Sequence, residues 1–226
     1  MINDSIKFIN FINFIYICMC WNQRISLNTF LFSFFAIHLA YFNNVINIYS
    51  YFKNLSFSSM QLLEYFAWGN LNNKKNNRVL SQIGLFIIFI QPFFYIGSSI
   101  KVRFTIRATL IGLYLLFSLF CWLSFPIDFS MEKANNGHLA WNWLNFPVVI
   151  IFTWVAFSFG TILYEKEYLK FSIYILIFLA IFYTYYKTNT WGSLFCWIAN
   201  LIAVKLIFQS FFTLNTSNNL RIKKKH

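Results

Sequence analysis

The chain has 226 residues, of which 59% are hydrophobic, 23% aromatic and only 11% charged, with a formal net charge of +12. A soluble domain carries about 25% charged residues, and no single water-facing core of this length hides 31 Phe beside the aliphatic residues. Lipid is the solvent that accepts such a surface, and basic residues set in short connections and at the C-terminus point to anionic lipid headgroups rather than to nucleic acid.

The first apolar stretch, residues 8–21, is short. It is followed by Asn22 and has no small-residue cleavage site at Cys20 and Trp21. A membrane-associated N-terminal helix is expected there, as a short eighth span, an interfacial helix or an uncleaved anchor. Seven longer runs follow, each of about 20 mostly apolar residues: 26–43, 51–69, 79–100, 104–125, 146–164, 168–186 and 191–214. The expected fold is an all-α, polytopic integral membrane helical bundle of seven core transmembrane helices plus the short N-terminal hydrophobic helix. As one domain it divides into the extension at 1–25, the bundle at 26–214 and a basic tail at 215–226.

The second run is the most polar, with Ser56, Ser58, Ser59, Gln61 and Glu64. The connection at 70–78 reads as a polar, basic loop. Lys101 and Arg103 mark the next turn, with Arg107 just inside the following helix. The longest connection, 126–145, holds Asp128, Glu132, Lys133, His138, Trp141 and Trp143, and its tryptophans read as part of an interfacial aromatic belt. Glu165, Lys166 and Glu167 form a tight turn. A cytoplasmic C-terminus gathers Lys53, Lys101, Arg103, Arg107, Lys166, Lys170 and the tail on one side. The other side holds Arg24, Lys74, Lys75, Arg78, Lys133 and Lys187, so the Lys/Arg excess, though small, orients the tail inward.

Alternating spans bring Cys20, Glu64, Trp68, Cys121, His138 and Cys196 to one face, the non-cytoplasmic one. Glu64 is the most pointed of these, because a carboxylate in a spanning helix faces the bundle interior or a wet cavity. Gln61, Glu64 and Trp68 share one helical face. Two uses fit Glu64: a proton-handling or ligand-binding carboxyl, or a carboxyl that only bonds a neighbouring helix. Lys205, with Asn200 and Gln209 near it, is the other intramembrane charge. A retinal Schiff base is rejected, since the acid expected four residues earlier is Leu201; snorkelling to headgroups explains the lysine. His138 is either an acid/base or an interfacial histidine. Gln91-Pro92 sits mid-span, where proline frees a carbonyl and kinks the helix. The four cysteines, Cys18, Cys20, Cys121 and Cys196, form no CxxC. No phosphate, dinucleotide, zinc-protease or serine-nucleophile motif is present, so no cofactor and no metal is expected.

Several of these residues together resemble a known pattern. Met19, Cys20, Trp21 and Asn22 precede Ser26; Gln61, Glu64 and Trp68 close the second span; Trp191, Ser193, Cys196 and Trp197 open the last. This is similar to a family of small uncharacterised polytopic membrane proteins of bacteria and large DNA viruses, a domain of unknown function. Its pattern is Cys-aromatic-Ser before the first span, Gln-x-x-Glu-x-x-x-Trp in the second and Ser-x-x-Cys-aromatic in the last. Asn22 departs from the expected Ser. The resemblance covers roughly 19–212. It implies a seven-helix membrane protein in which Cys20, Glu64 and Cys196 act together, and it names no activity.

The leading expectation is a channel, transporter or receptor-like bundle with a polar pocket lined by Glu64 and Gln61, shaped by Pro92 beside Gln91, and walled by Trp68 and Trp197. A membrane-embedded enzyme acting on lipid, with Glu64 and His138 as acid and base, is the alternative. A structural membrane scaffold is the third. The partner is the bilayer itself, and a homo-oligomer stays open.

Overall fold

The computed structural model describes residues 22–193 and 195–223, excepting the side chains of 195–197 and 214–223. The short helix expected at 8–21 lies outside the described residues, as does Cys20. Among the described residues there are seven α-helices: α1 (Gln23–Phe42), α2 (Ile48–Gly69), α3 (Lys74–Ser98), α4 (Phe104–Ser124), α5 (Val148–Tyr164), α6 (Tyr168–Tyr185) and α7 (Phe195–Lys223). Four are long and apolar enough to cross a membrane: α1, α3, α4, and α6 with its 3-10 extension to Thr188. α5, at 17 residues, and Ile198–Thr213 within α7 are apolar but shorter. α2 is long enough at 22 residues, but its polar side chains lower its hydropathy.

Boundaries differ from the sequence reading where asparagines cap. The Asn22 side chain accepts the Ile25 N–H at 3.0 Å and starts α1; Asn47 does the same for Ser50 at 2.8 Å and starts α2. Asn73 accepts from Asn76 N–H at 3.2 Å, so Lys74, Lys75 and Arg78 belong to the opening turns of α3, not to a loop. Each cap satisfies an N–H that the helix leaves without a partner, and at α3 it outweighs the unfavourable basic charge at a helix N-terminus. At the other end of the chain, α7 runs on to Lys223, so helix continues into the stretch read as tail. The connection at 126–145 also holds an antiparallel hairpin, β1 (Met131–Lys133) with β2 (Leu139–Trp141), in the register Met131↔Trp141 and Lys133↔Leu139. Its turn carries Asn136 and Gly137, and Gly137 adopts φ +83°, a conformation that suits glycine.

Polarity is turned inside out. Ser26, Thr29 and Ser33 of α1, Ser58, Gln61 and Glu64 of α2, Ser81 and Gln91 of α3, and Ser210 of α7 are all buried. Meanwhile α4 buries only Tyr114 and Cys121, and α6 only Phe178; Leu123 is 74% exposed and Leu169 77%. Exposed apolar surface over whole helices is uncommon on water-facing proteins. α1 packs on α2 and α7, α2 on α3, and α3 on α5. The buried face of α1 is mostly small, with Ser26, Thr29, Ser33, Ala36 and Ala40 beside Ile37, and α7 buries Ala199, Ala203 and Ser210 beside Asn200 and Leu206; small residues let helix backbones approach closely.

Pro92 lies inside α3 and offers no N–H to the carbonyl of Ile88, four residues back. That carbonyl instead accepts the indole N–H of Trp154, from α5, at 3.1 Å. Tyr114, from α4, donates its hydroxyl to the next carbonyl, Phe89. α5 thus closes the gap the proline opens, and α4 adds a second bond one residue on.

Candidate functional site

The bundle has two distinct ends. At the first, the opening of α1 meets the close of α2: a Cβ on Gly69 would lie 3.0 Å from Gln23 Nε2. The hairpin folds onto this same end. Asn77, at the start of α3, pairs with Met131 like a strand partner. Its Nδ2 donates to the Met131 carbonyl and its Oδ1 accepts the Met131 N–H, both at 2.8 Å. Trp141 is fully buried, and Trp143 nearly so. A Cβ on Gly84 of α3 would fall 2.8 Å from Trp141 and 3.0 Å from Trp143. These two rings are therefore packed into the bundle, where an interfacial belt was expected.

The hairpin is also clamped to the α6–α7 connection. Trp141 Nε1 donates to Ser193 Oγ at 3.1 Å, and Ser193 Oγ donates to the Leu139 carbonyl at 2.9 Å. Trp141 N donates to Asn189 O, and Asn136 Nδ2 to Thr190 Oγ1. Ser193, a pocket candidate from the sequence, is thus a rivet of this clamp. His138 is buried in the hairpin with its ring edge-on to Tyr185 of α6, centroids 5.9 Å apart. Burial pushes its pKa below the usual imidazole range.

Glu64 and Gln61 are 1% and 0% exposed. Their depth follows from the contacts either side of them. Ser33 of α1 and Asn54 and Ser58 of α2 line one small cavity with Ala199 and Ala203 of α7, and its volume is about 10 Å³, close to what one water needs. With Gln23 against Gly69 at the end, this register sets Glu64 level with the buried Ser26 and Thr29 of α1. The side chains of Cys196 and Trp197, in the first turn of α7, lie outside the described residues. Trp68 is half-buried one turn nearer the end.

The polar face of α2 does not stop at Glu64. Tyr51, Asn54, Ser58, Gln61 and Glu64 succeed one another at steps of three or four, so they share a side of the helix. At the far end Tyr51 Oη lies 3.0 Å from His38 Nε2, while His38 Nδ1 lies 2.8 Å from the Phe34 carbonyl. A carbonyl only accepts, so Nδ1 carries a proton; in the neutral ring the tyrosine hydroxyl then donates to Nε2. The track from Tyr51 to Glu64 covers 13 residues, roughly 20 Å.

Gln91 is not part of that group. Leu63 meets the Cβ position of Gly84 and Lys53 lies over the Tyr95 ring, 5.3 Å from its centroid. The antiparallel register therefore places Gln91 roughly 10 Å below Glu64 along the axis, buried beside Pro92. Lys205 is exposed on α7. Cys121 is a buried free thiol on α4. Among the described residues no three His, Cys, Asp or Glu side chains come together as a metal site. The sequence reading missed Asn77 and the hairpin clamp; the Asn136-Gly137 pair was the available signal for the turn. Comparison with family models, with curated proteins and with solved structures finds no match for the chain.

Proposed function

We propose that the chain is a seven-crossing integral membrane protein that handles protons along the seam of α1, α2 and α7, with Glu64 as the exchanging carboxyl. The observation that carries this proposal is the polar face of α2. Hydroxyls, amides and a carboxyl follow one another along it, half-buried at Tyr51 and Asn54 and fully buried at Ser58, Gln61 and Glu64, although each buried polar group costs free energy in an apolar setting. Here they join an ionisable group near one end, Glu64, to a second at the other, the His38–Tyr51 pair. The cavity at Ser33, Asn54 and Ser58 lies midway. Its volume describes a closed state, and Ser33, Asn54 and Ser58 are its polar lining among Ile37, Phe57, Ile202 and the two alanines. The C-terminus faces the cytoplasm, because Lys53, Lys101, Arg103, Arg107, Lys166 and Lys170, taken with Arg221 and Lys223 at the close of α7, outnumber the Lys and Arg of the opposite end.

The test is proton flux in liposomes loaded with a pH-sensitive dye and driven by a potassium gradient with valinomycin. Wild type dissipates the imposed gradient faster than protein-free vesicles. Glu64→Gln returns the rate to the protein-free level, and Ser58→Leu, which fills the midway cavity, does the same. His138→Ala leaves the rate unchanged, because the histidine stands on Tyr185 rather than on the track. Equal rates for wild type and Glu64→Gln, with both folded, overturn the assignment.

A further inference from the structure

A second feature lies on the outside of the bundle. α3 and α4 diverge and leave two clefts, each of about 550 Å³, that share Phe93. Each is within the ~300–1,000 Å³ typical of small-ligand sites. Their α4 linings, Phe104, Arg107, Ala108 and Ile111 in one and Leu115, Ser118, Leu119 and Trp122 in the other, fall on one face at helical spacing. The two clefts therefore form a single groove, roughly 27 Å from Phe104 to Trp122, close to the ~30 Å of a hydrocarbon core.

The groove is apolar except at its ends, and one end is cationic. Arg107 lines it with one guanidinium N–H fixed: Nη1 donates to the Gly97 carbonyl at 3.1 Å. The acids at this end are Glu165 and Glu167; Glu167 is held by Lys101 at 3.0 Å and Lys170 at 2.7 Å, and Glu165 acts on Lys53 and Lys101. Among the described residues neither Arg103 nor Arg107 pairs with a carboxylate. A long apolar trough closed by a fixed, unneutralised guanidinium is complementary to one class of molecule, an amphiphile with an anionic head. The floor of the trough is Gly97 and Ala108, and a Cβ on Gly97 would meet nothing within 4 Å; the space is open rather than filled by side chains.

We propose that this groove binds one anionic phospholipid, with its phosphate on Arg107 and one acyl chain running along α3 and α4 toward Phe93. Tyr49 and Phe52 of α2 wall the headgroup half. Neutral phospholipids satisfy the apolar half alone. The anionic head supplies the preference, because a charge-assisted bond to a partly desolvated arginine is among the stronger polar contacts.

The experiment is native mass spectrometry of the full chain released from nanodiscs of equal phosphatidylglycerol and phosphatidylcholine. Wild type retains one phosphatidylglycerol in preference to phosphatidylcholine. Arg107→Gln lowers that preference about tenfold, the effect of losing one charged hydrogen bond, and Arg107→Lys keeps part of it. Gly97→Leu fills the trough beneath an intact arginine and reduces the retained lipid of both kinds. Arg78→Gln, at the opposite end of the bundle, changes nothing. Undiminished phosphatidylglycerol retention in Arg107→Gln, or an equal loss in Arg78→Gln, refutes the site. If Arg107→Gln does not fold, undiminished lipid retention in Gly97→Leu refutes it alone.

Discussion

Replacing Trp154 by Phe isolates the bond that repairs α3 at its proline. The substitution does two things. It trims ring surface from a buried position, and it strips the Ile88 carbonyl of the N–H it receives at 3.1 Å. An orphaned buried acceptor costs about 1–3 kcal/mol, while interhelical side-chain bonds in membranes average about 0.6 and reach ~1.7 kcal/mol. The Ile88 carbonyl should sit at the upper end, near ~1.5 kcal/mol, because Pro92 denies it the helical partner every other carbonyl of that turn has. The two contributions separate in a cycle with Pro92→Ala. An alanine at 92 restores the N–H that Ile88 lacks, so in that background Trp154→Phe loses only the ring surface. The two substitutions should therefore couple by about 1–1.5 kcal/mol, whereas independent sites add within ~0.3–0.5 kcal/mol. Reversible unfolding in mixed micelles, followed by far-UV circular dichroism, measures all four corners. Additivity within that margin would show that the indole bond does not compensate the proline, and the account of the α3–α5 contact would be wrong.

Three further outcomes follow from single contacts. Asn77→Ala removes both bonds to Met131 and leaves a buried N–H and C=O, so it should cost about 2–4 kcal/mol; amide exchange across 131–141 should rise at least as much as in the bundle, and unchanged exchange there would refute the anchoring. Gly84→Ala forces a methyl to within 2.8 Å of Trp141 and 3.0 Å of Trp143, an overpacking worth about 1–3 kcal/mol; the near-ultraviolet signal of the buried tryptophans should change, and an unaltered spectrum with unaltered stability would count against the packing described. Glu167 is held well below the usual carboxylate range, to about 2, by its bonds to Lys170 and then Lys101. A depressed folded value means stability present above the unfolded value of ~4.3 and lost as pH falls toward 2. Because the carboxylate is 32% exposed, the effect is only about 0.2–1 kcal/mol. Glu167→Gln should lose that amount at neutral pH and nothing near pH 2, and an equal deficit at both would exclude the linkage.

The helices themselves were legible because an apolar run of spanning length is a local property. Their starts were less so. Lys74, Lys75 and Arg78 read as loop because charge outweighed the weaker signal of an asparagine cap at Asn73, and a cap is visible only once the turn it closes is known. The polar face of α2 was partly legible: the spacing of Gln61, Glu64 and Trp68 is helical. Its continuation to His38 was not, since that step is a contact between two helices. The hairpin clamp lay beyond reach for the same reason carried further. Asn77 meets Met131 across 54 residues, and Trp141 meets Ser193 across 52; no periodicity records such pairs. Trp141 and Trp143 were misassigned because an aromatic residue flanking a span is equally suited to an interface and to a core, and only the absent side chain of Gly84 decides which.

That glycine also brings the hairpin close to α2. The hairpin lies over the end of the bundle at which Glu64 sits, and two indoles reach α3 because position 84 leaves room for them. Leu63, the third neighbour of that position, is the residue before Glu64 on α2. The hairpin, α3 and the turn of α2 that carries the carboxyl therefore meet at one position. Gly84→Ala and Glu64→Gln should differ accordingly. The first leaves the titratable group in place and alters what covers it, so it should change the rate of proton flux without abolishing it. The second removes the group and should abolish flux. Were Gly84→Ala to fold and conduct at the wild-type rate, the hairpin would be a clamp on the fold alone, with no part in gating the seam.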